Sequence, residues 1–291
     1  MKKLFLSLTL IVAGLGMSAQ IMYKVTGPDT KGASYLFGTH HLAPLTVLDS
    51  VASFNSAHDQ VDAVFGEVEM AEMNAPETQQ YMMMLCKAPA DSTLSKVLSP
   101  AQIDSLNVVL NKYTMGMVNA AAFEQMTPAI IVTQLALLQA MREFPDFNPQ
   151  KQLDFTIQQM AKEKGKPNGG LESAKSQLDI LFGQPISAQA NSLVETVRND
   201  QRMAQIAKDM ATAYLNRDLD RLLEIMISEP GTTHAKLDRL IFNRNRNWVE
   251  KMRPIMADKS VMFVVGAGHL PSDDGLISLL RKAGYTVEPM N

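Results

Sequence analysis

The residues of this 291-residue chain that are best suited to chemistry belong to a short motif that occurs twice. One apolar strand runs into Gly-Thr-His-His-Leu at residues 38–42, and another runs into Gly-Ala-Gly-His-Leu at residues 266–270. Each copy reads Gly-x-x-His-Leu, so His41 corresponds to His269. Histidines at the carboxyl ends of neighbouring strands would lie close together, at the edge where ligand sites of open α/β sheets are found. Paired imidazoles suit a divalent transition metal.

The sharp turn in each copy is assigned to its glycine, Gly38 in the first and Gly266 in the second, because glycine allows conformations that other residues avoid. The simpler alternative is that each histidine is only a hydrogen-bonding loop residue. Histidine is scarce, however, with five in the whole chain, and two of them in matching positions favour a shared function. Since Cys86 is the only cysteine, a metal site here must use nitrogen and oxygen ligands.

Two glutamates follow predicted strands and are candidates to complete such a site. Glu67 closes the apolar strand predicted over Val61–Val68, and Glu172 follows Gly169-Gly170 just before a predicted helix. Carboxylates are common partners of imidazoles at divalent metals. Each glutamate also has a simpler interpretation. Glu67 could be a solvent-facing edge residue, and Glu172 a first-turn carboxylate favoured by the helix dipole.

A cation is predicted on the apolar face of a helix that spans about residues 236–252. Arg244 lies four residues from both Leu240 and Trp248, and Asn245 has the same spacing from other apolar residues. A charge on an inward face requires a partner, such as a carboxylate of the site or a substrate carbonyl. Alternatively, the arginine reaches solvent from the margin of the apolar stripe.

The elements that must position these residues are strands near both ends of the chain and helices between them. Apolar runs bounded by turn residues predict strands over Ile21–Val25, Ser34–Phe37, Val61–Val68, Val261–Val265 and Thr286–Glu288. Apolar spacing of three and four predicts helices over Leu94–Lys112, Ala120–Arg142, Gln152–Lys164, Ala174–Phe182, Ser192–Asn216, Leu219–Ile227 and Lys236–Met252, the last ending before Pro254. We therefore predict an α+β fold, with a central mixed sheet built from N- and C-terminal strands and a large helical middle, in a single domain over residues 20–291.

The first nineteen residues are typical of a signal peptide. Lys2 and Lys3 precede the apolar run Leu4–Met17, and Ala19 is a small residue suited to cleavage. We therefore expect export to a periplasmic or extracellular location. With 27 basic and 30 acidic side chains, the net charge of −3 provides no basic surplus for nucleic acid. No later segment is apolar enough to span a membrane.

In their order along the chain, these motifs resemble the TraB/PrgY/GumN family, which includes the Tiki metalloproteases and is distantly similar to ChaN and the erythromycin esterases. The resemblance rests on the Gly-Thr-x-His-Leu opening, Glu-Val-Glu at residues 67–69, Gly-Leu-Glu at residues 170–172, the Arg-Asn pair ahead of Trp248, and the closing Gly-x-Gly-His-Leu. It covers nearly the whole chain after residue 19. His40 departs from the usual aliphatic residue and is either a supporting group or a competing ligand. The spacing of the second motif favours His41.

The resemblance implies an erythromycin-esterase/ChaN-like fold in which both histidine motifs and a glutamate meet around a divalent metal, with Mn²⁺ or Co²⁺ favoured and Zn²⁺ possible. Carried over to this chain, the ligands are His41, His269 and Glu67, where Glu67 is either a ligand or the general base. Arg244 would stabilise an oxyanion, and the supporting or substrate-contacting positions would be His40, Glu172, Asn245, Gly38 and Gly266. The activity implied is a Tiki-like metalloprotease acting on a peptide or protein. The alternative is a non-catalytic peptide-, haem- or metal-binding protein of the same fold.

Overall fold

The computed structural model describes residues 20–291, so the predicted signal peptide lies outside the described residues. Its centre is a six-stranded sheet in the order β4-β3-β5-β2-β1-β6. The strands are β1 (Met22–Thr26), β2 (Ser34–Thr39), β3 (Ala63–Gly66), β4 (Asn168–Gly170), β5 (Val261–Gly266) and β6 (Thr286–Met290). The first four in the sheet order are parallel to one another, whereas β1 is antiparallel to both of its neighbours. The predicted α+β fold with a mixed sheet built from both chain ends is confirmed.

Five of these strands are predicted from the sequence, and β4 is absent from the predicted set. Its sequence is Asn-Gly-Gly, and consecutive glycines normally indicate a turn. The strand forms because β3 supplies a parallel partner, with Phe65 beside Gly169. A Cβ atom on Gly169 would lie 2.4 Å from the Phe65 ring, so the missing side chain makes room for this ring on the neighbouring strand.

Helices make up most of the remaining chain. In chain order they are α1 (Val47–Ser50), α2 (Phe54–Gln60), α3 (Met70–Met73), α4 (Pro76–Cys86), α5 (Leu94–Val97), α6 (Pro100–Thr114), α7 (Pro128–Glu143), α8 (Leu153–Glu163), α9 (Ala174–Phe182), α10 (Ile186–Arg198), α11 (Asp200–Leu215), α12 (Leu219–Ser228), α13 (His234–Leu237), α14 (Asn243–Asp258) and α15 (Leu276–Lys282). A π-helical turn at Asp238–Phe242 joins α13 to α14. In the part of the chain that the structure describes, no helix is long and apolar enough to cross a membrane.

Prolines account for three of the differences between the predicted and observed helices, whereas the helix predicted over Ser192–Asn216 is divided at Asn199 into α10 and α11. The helices predicted over residues 94–112 and 120–142 are each divided, because α6 and α7 begin at a proline in their first turn, where the missing N–H has no partner to lose. The prediction that the last long helix ends before Pro254 is wrong, since α14 continues past it. Pro254 removes one helical hydrogen bond. The complete burial of Met252 and Met256 on either side offsets that loss.

The main hydrophobic core lies on both faces of the sheet. Phe37, Val64 and Phe263, from three adjacent strands, are fully buried in it. The helical middle has a smaller core of its own, in which Leu110 of α6 packs with Ile131 of α7. The sheet therefore depends on both ends of the chain, while the helices between them pack partly on each other. The assignment of one domain to residues 20–291 stays a prediction.

Candidate functional site

Four parallel strands deliver the predicted site residues to one edge of the sheet. β4, β3, β5 and β2 are adjacent and parallel, so their carboxyl ends lie side by side. Within three residues of those ends stand, in the order of the sheet, Glu172, Glu67, His269 and His41. The edge therefore collects two carboxylates and two imidazoles, as the positions of the motifs predict.

Glu67 is the centre of a buried polar cluster. Its Oε1 accepts a hydrogen bond from the backbone N–H of Gly266 at 2.8 Å, and its Oε2 lies 2.5 Å from Nη2 of Arg244. Burial by itself would raise the pKa of Glu67. The charge that His269 carries at low pH, the Arg244 charge and the Gly266 N–H together outweigh burial, so this pKa lies below its usual value. The alternative that Glu67 is a solvent-facing edge residue is wrong, because both of its carboxylate oxygens have partners within the cluster.

His269 is buried and held in a defined orientation. Its Nδ1 lies 2.6 Å from Oδ1 of Asn245, and its Nε2 lies 3.2 Å from Nη1 of Arg244. A guanidinium can only donate, so Nε2 is the acceptor and the ring proton sits on Nδ1. The Asn245 amide donates to the His269 carbonyl at 3.1 Å, which turns its own oxygen toward the ring. Burial lowers the pKa of His269 to about 4, so the imidazole is neutral at pH 7.

Arg244 contacts four acceptor residues, and its side chain is only 10% exposed. Its Nε and Nη2 donate to Glu172 at 3.1 and 2.6 Å, and Nη2 also reaches Glu67. Its Nη1 contacts the Leu240 carbonyl at 2.7 Å and Nε2 of His269. The five N–H donors of the guanidinium are thus all used. The alternative of an arginine that reaches solvent is wrong, and no donor is left free for an oxyanion in this arrangement.

The second carboxylate, Glu172, joins the same cluster together with a residue that the sequence does not single out. Glu172 precedes α9 instead of lying in its first turn, and it is buried against Arg244. Gln177 of α9 donates its amide to Oε2 of Glu67 at 3.0 Å and to Oε1 of Glu172 at 3.2 Å. A single glutamine on a helix carries no motif, so only its position in space identifies it.

His41 occupies a different part of the edge. Its side chain is 68% exposed, and its Nδ1 lies 3.4 Å from Oδ2 of Asp154, at the start of α8. The hydrogen bond to Asp154 raises the pKa of His41 to about 9. Asp154 is a second residue that the sequence does not single out, because an acidic residue in the first turn of a helix is common. His41 therefore ends a neighbouring strand but makes its polar contact with Asp154, outside the cluster around Glu67.

The adjacent His40 faces another way. Its ring stacks on Tyr214, with ring centroids 5.4 Å apart, and its Nδ1 accepts from the Leu42 N–H at 3.3 Å. Burial lowers the pKa of His40 to about 4. The Tyr214 hydroxyl donates to the Gly38 carbonyl at 2.8 Å, which ties this stack to the first motif. Through these contacts His40 stabilises the turn of the first motif. Of the two histidines in this motif, His41 is the exposed one.

Comparisons with known proteins identify the family to which the chain belongs. The sequence profile of the TraB/PrgY/gumN family matches residues 21–289, which is nearly all of the described chain. The chain belongs to the TraB/PrgY/gumN family. It is also similar to the uncharacterized protein YbaP of Escherichia coli strain K12 and of Shigella flexneri, each 24% identical over 247 residues, covering 84% of this chain and 84% of the relative. No solved structure matches the chain.

The donor set of this TraB/PrgY/gumN protein fits a divalent metal in its chemistry. Nε2 of His269 lies 3.7 Å from Oε1 of Glu67, and two ligands bound at about 2.1 Å lie roughly 3–4 Å apart. Asn245 holds the other ring nitrogen, as outer partners do for metal-ligating histidines. Within residues 20–291, no three His, Cys, Asp or Glu side chains are already grouped to hold an ion. Joint ligation by His41, His269 and Glu67 therefore requires Arg244 to release the His269 nitrogen and His41 to approach the other two residues.

The motif glycines do not make their turns through a positive φ, because Gly38 lies within β2 and Gly266 ends β5 at a φ of −54°. They differ in their surroundings, and this gives a first prediction. A Cβ atom on Gly38 would lie 2.7 Å from Leu270 and 3.2 Å from the Cα of Ala267, whereas on Gly266 it would lie 3.3 Å from Oε1 of Glu67. Gly38→Ala is expected to lower the free energy of unfolding by about 1–3 kcal/mol, since the backbone of the second motif must move. Gly266→Ala is expected to cost clearly less and to displace Glu67 instead. Urea unfolding compares the two, and equal losses would contradict this account.

The buried histidines of the metal-free protein give a second prediction. The pKa values of His40 and His269 are lowered to about 4, and burial also lowers that of His58. The unfolded chain binds these protons near pH 6.5, so the free energy of unfolding is expected to fall as the pH drops from 6.5 toward 4, by up to about 3 kcal/mol for each of the first two. His41 has a raised pKa, so its contribution is constant in this range and is lost only above pH 6.5.

Urea unfolding at pH 7.5, 6.5, 5.5 and 4.5 in a chelating buffer measures this slope. His40→Gln cannot take up the proton and is expected to show a shallower pH dependence than the unaltered protein. A free energy of unfolding that stays constant between pH 6.5 and 4.5 would show that these histidines do not hold their lowered pKa values.

Proposed function

We propose that this protein is a metal-dependent hydrolase that cleaves peptide bonds. The observation that supports the proposal best is the delivery of two imidazoles and two carboxylates to one sheet edge by four parallel strands. His41, His269 and Glu67 would hold the ion. A bound divalent ion supplies a water of lowered pKa and polarises the carbonyl that is to be cleaved.

The other residues of the cluster prepare this chemistry. Asn245 keeps the proton of His269 on Nδ1, so that Nε2 offers a lone pair. Arg244 and the Gly266 N–H keep Glu67 ionised at neutral pH, which suits it to accept a proton from water or to bind an ion. Because all donors of Arg244 are used, it can bind a developing oxyanion only where a substrate oxygen replaces one of its present acceptors.

The direct test is cleavage of a mixed peptide library by the purified protein, followed by mass spectrometry. Fragments are expected with added Mn²⁺ or Co²⁺ and are expected to disappear after treatment with a chelator and to return when the ion is restored. Cleavage that persists unchanged after metal removal would contradict the metal-dependent mechanism. The absence of cleavage with Mn²⁺, Co²⁺ and Zn²⁺ would contradict the protease assignment.

A second candidate is a binding protein that does not turn over its ligand. One observation favours it: Arg244 already pairs with Glu67, Glu172 and His269, which is a closed arrangement rather than an open site for water and substrate. A protein of this kind would leave the peptide library intact. It would instead show a tightly bound peptide or metal, or the absorption band of bound haem, after purification.

Export is part of the proposal and is tested separately. If residues 1–19 are removed as a signal peptide, the protein recovered outside the cytoplasm is expected to begin at Gln20. N-terminal sequencing of that fraction measures this directly. A mature chain that still begins at Met1 and stays with the cytoplasmic fraction would contradict export.

A further inference from the structure

Asp154 belongs to none of the motifs, yet its side chain is the polar partner of His41. It is the second residue of α8, and its Oδ2 lies 3.4 Å from Nδ1 of the imidazole. Its other oxygen, Oδ1, is buried and makes no hydrogen bond within the described residues. The His41 ring itself is largely exposed. A partly buried carboxylate therefore contacts one nitrogen of an imidazole that is otherwise exposed to solvent.

The second motif is built in the same way. The Nδ1 of His269 lies 2.6 Å from the side-chain oxygen of Asn245, on α14. In both copies, then, the histidine follows a parallel strand, and a helix outside the motif places an oxygen against Nδ1. In both copies Nε2 is the nitrogen that this oxygen does not contact, and in His269 it accepts from Arg244. The resemblance between the two motifs thus extends to residues that the sequence repeat does not contain.

This shared arrangement has a chemical consequence. When the imidazole is neutral, an oxygen that accepts a hydrogen bond from Nδ1–H selects the tautomer that carries its lone pair on Nε2. The same contact also sets the ring orientation, which is how outer carboxylates and amides assist histidines that bind metals. An Asp154 that only stabilised the N-terminal end of the α8 dipole would not need to contact Nδ1 of the His41 imidazole.

We infer that Asp154 is a positioning residue that holds His41 by Nδ1 and so presents Nε2 as the nitrogen for a ligand, in the way that Asn245 presents Nε2 of His269. The inference deepens the proposed function and rests on it for the identity of the ligand, a divalent cation. Asp154 itself does not have to touch that cation. Asp154 affects binding of the cation only by orienting the imidazole of His41.

Two substitutions separate positioning from charge. Asp154→Asn and Asp154→Ala both remove the carboxylate charge, but only asparagine keeps an oxygen that can accept from Nδ1–H, as Asn245 does. Glu163→Gln, at the other end of α8, is the matched control, because Glu163 is exposed and its carboxylate accepts a hydrogen bond from Gln159 of the same helix. The amide NMR spectrum reports whether each variant is folded.

The first readout needs no metal. Long-range ¹H–¹⁵N NMR of the histidine rings at pH 10 identifies the nitrogen that carries the proton, and His41→Gln assigns the signal. The proton is expected on Nδ1 of His41 in the unaltered protein, in Glu163→Gln and in Asp154→Asn, and on Nε2 in Asp154→Ala. The same protonated nitrogen in folded Asp154→Ala as in the unaltered protein would overturn the inference, whatever the protein binds.

The second readout is the affinity for Mn²⁺ or Co²⁺ by calorimetry at pH 7.5. An ion that binds Nε2 must displace the second proton of His41, and loss of the carboxylate eases this step in both variants, so the two are compared with each other. Asp154→Ala is expected to bind about 10- to 100-fold more weakly than Asp154→Asn. Equal affinities of Asp154→Ala and Asp154→Asn would overturn the positioning role. If the unaltered protein binds neither ion, the metal part of the proposed function fails, and the NMR result alone then decides the role of Asp154.

Discussion

Arg244→Ala is expected to lower the free energy of unfolding by about 3–5 kcal/mol at pH 7, which makes it the most damaging single substitution predicted for stability. The guanidinium lies between Glu67 and Glu172, at 2.5 and 2.6 Å, and the side chains of Arg244 and Glu172 are at most 10% exposed. Its removal leaves two acidic side chains without their cation. It also takes away the donors to His269 and to the Leu240 carbonyl. Urea unfolding followed by circular dichroism measures the loss.

Arg246 is a matched control on the same helix. It also pairs with two carboxylates, those of Asp238 and Asp274, but its side chain is 43% exposed. Exposed pairs contribute little, so Arg246→Ala is expected to cost at most about 1 kcal/mol. Similar losses for the two arginine variants would contradict the view that burial sets the size of the effect.

A double substitution separates the buried charge from simple loss of packing. In the Arg244→Ala background, Glu172→Gln replaces a buried acid that has lost its cation with a neutral amide. This second change is expected to recover about 1 kcal/mol or more, although the same change in the unaltered protein is expected to be destabilising. Strictly additive losses would indicate that Arg244 stabilises the protein through its packing on Trp248.

Replacement of His41 or His269 is expected to reduce kcat/KM for peptide cleavage about a thousandfold, which corresponds to about 4 kcal/mol of lost transition-state stabilisation. Each change removes one of the two imidazoles that follow the parallel strands. His41 is exposed, so His41→Ala should leave the fold intact. His269 is buried against Trp248, and His269→Gln is therefore measured beside His269→Ala to limit the cavity.

His234→Ala provides the control for both variants. His234 is 82% exposed and pairs with Asp238 on the protein surface, so its loss should leave cleavage unchanged. Calorimetric titration with Mn²⁺ then shows whether the lost activity accompanies lost metal binding. Unchanged cleavage in folded His41→Ala would remove that residue from the proposed mechanism, while retained metal binding with lost cleavage would make it a substrate-binding or acid–base residue.

The parts of the site that lie at strand ends can be predicted from the sequence. Glu67, Glu172, His41 and His269 each follow a short apolar or glycine-containing run, and the direction of a strand carries the next residues to its carboxyl edge. The apolar spacing of the last long helix likewise places Arg244 and Asn245 on its inward face, and both are buried. These predictions depend on patterns that extend over a few residues, so they do not require knowledge of the packing.

The partners of those residues are decided by packing and are not visible in the sequence. The spacing of Arg244 is compatible with a buried, paired arginine and with one that reaches solvent. Only the approach of β3 and β4 to α14 gives it a pair of carboxylates as partners. Gln177 lies 110 residues from Glu67 along the chain, and nothing in its neighbourhood distinguishes it from other helical glutamines. Pro254 likewise depends on its surroundings, because burial of the flanking methionines decides whether the helix continues through it.

The sequence by itself therefore determined the chemistry available at the sheet edge: nitrogen and oxygen donors without thiolates, placed by two matching turns. Only the tertiary structure decided how those donors are engaged. His269 and the two glutamates are drawn together by Arg244, while His41 is turned toward Asp154. The physical reason is the range of the interactions. A strand end is specified by local residue types, but a buried charge must be paired, and its partner is supplied by whichever distant element the fold brings within hydrogen-bonding distance.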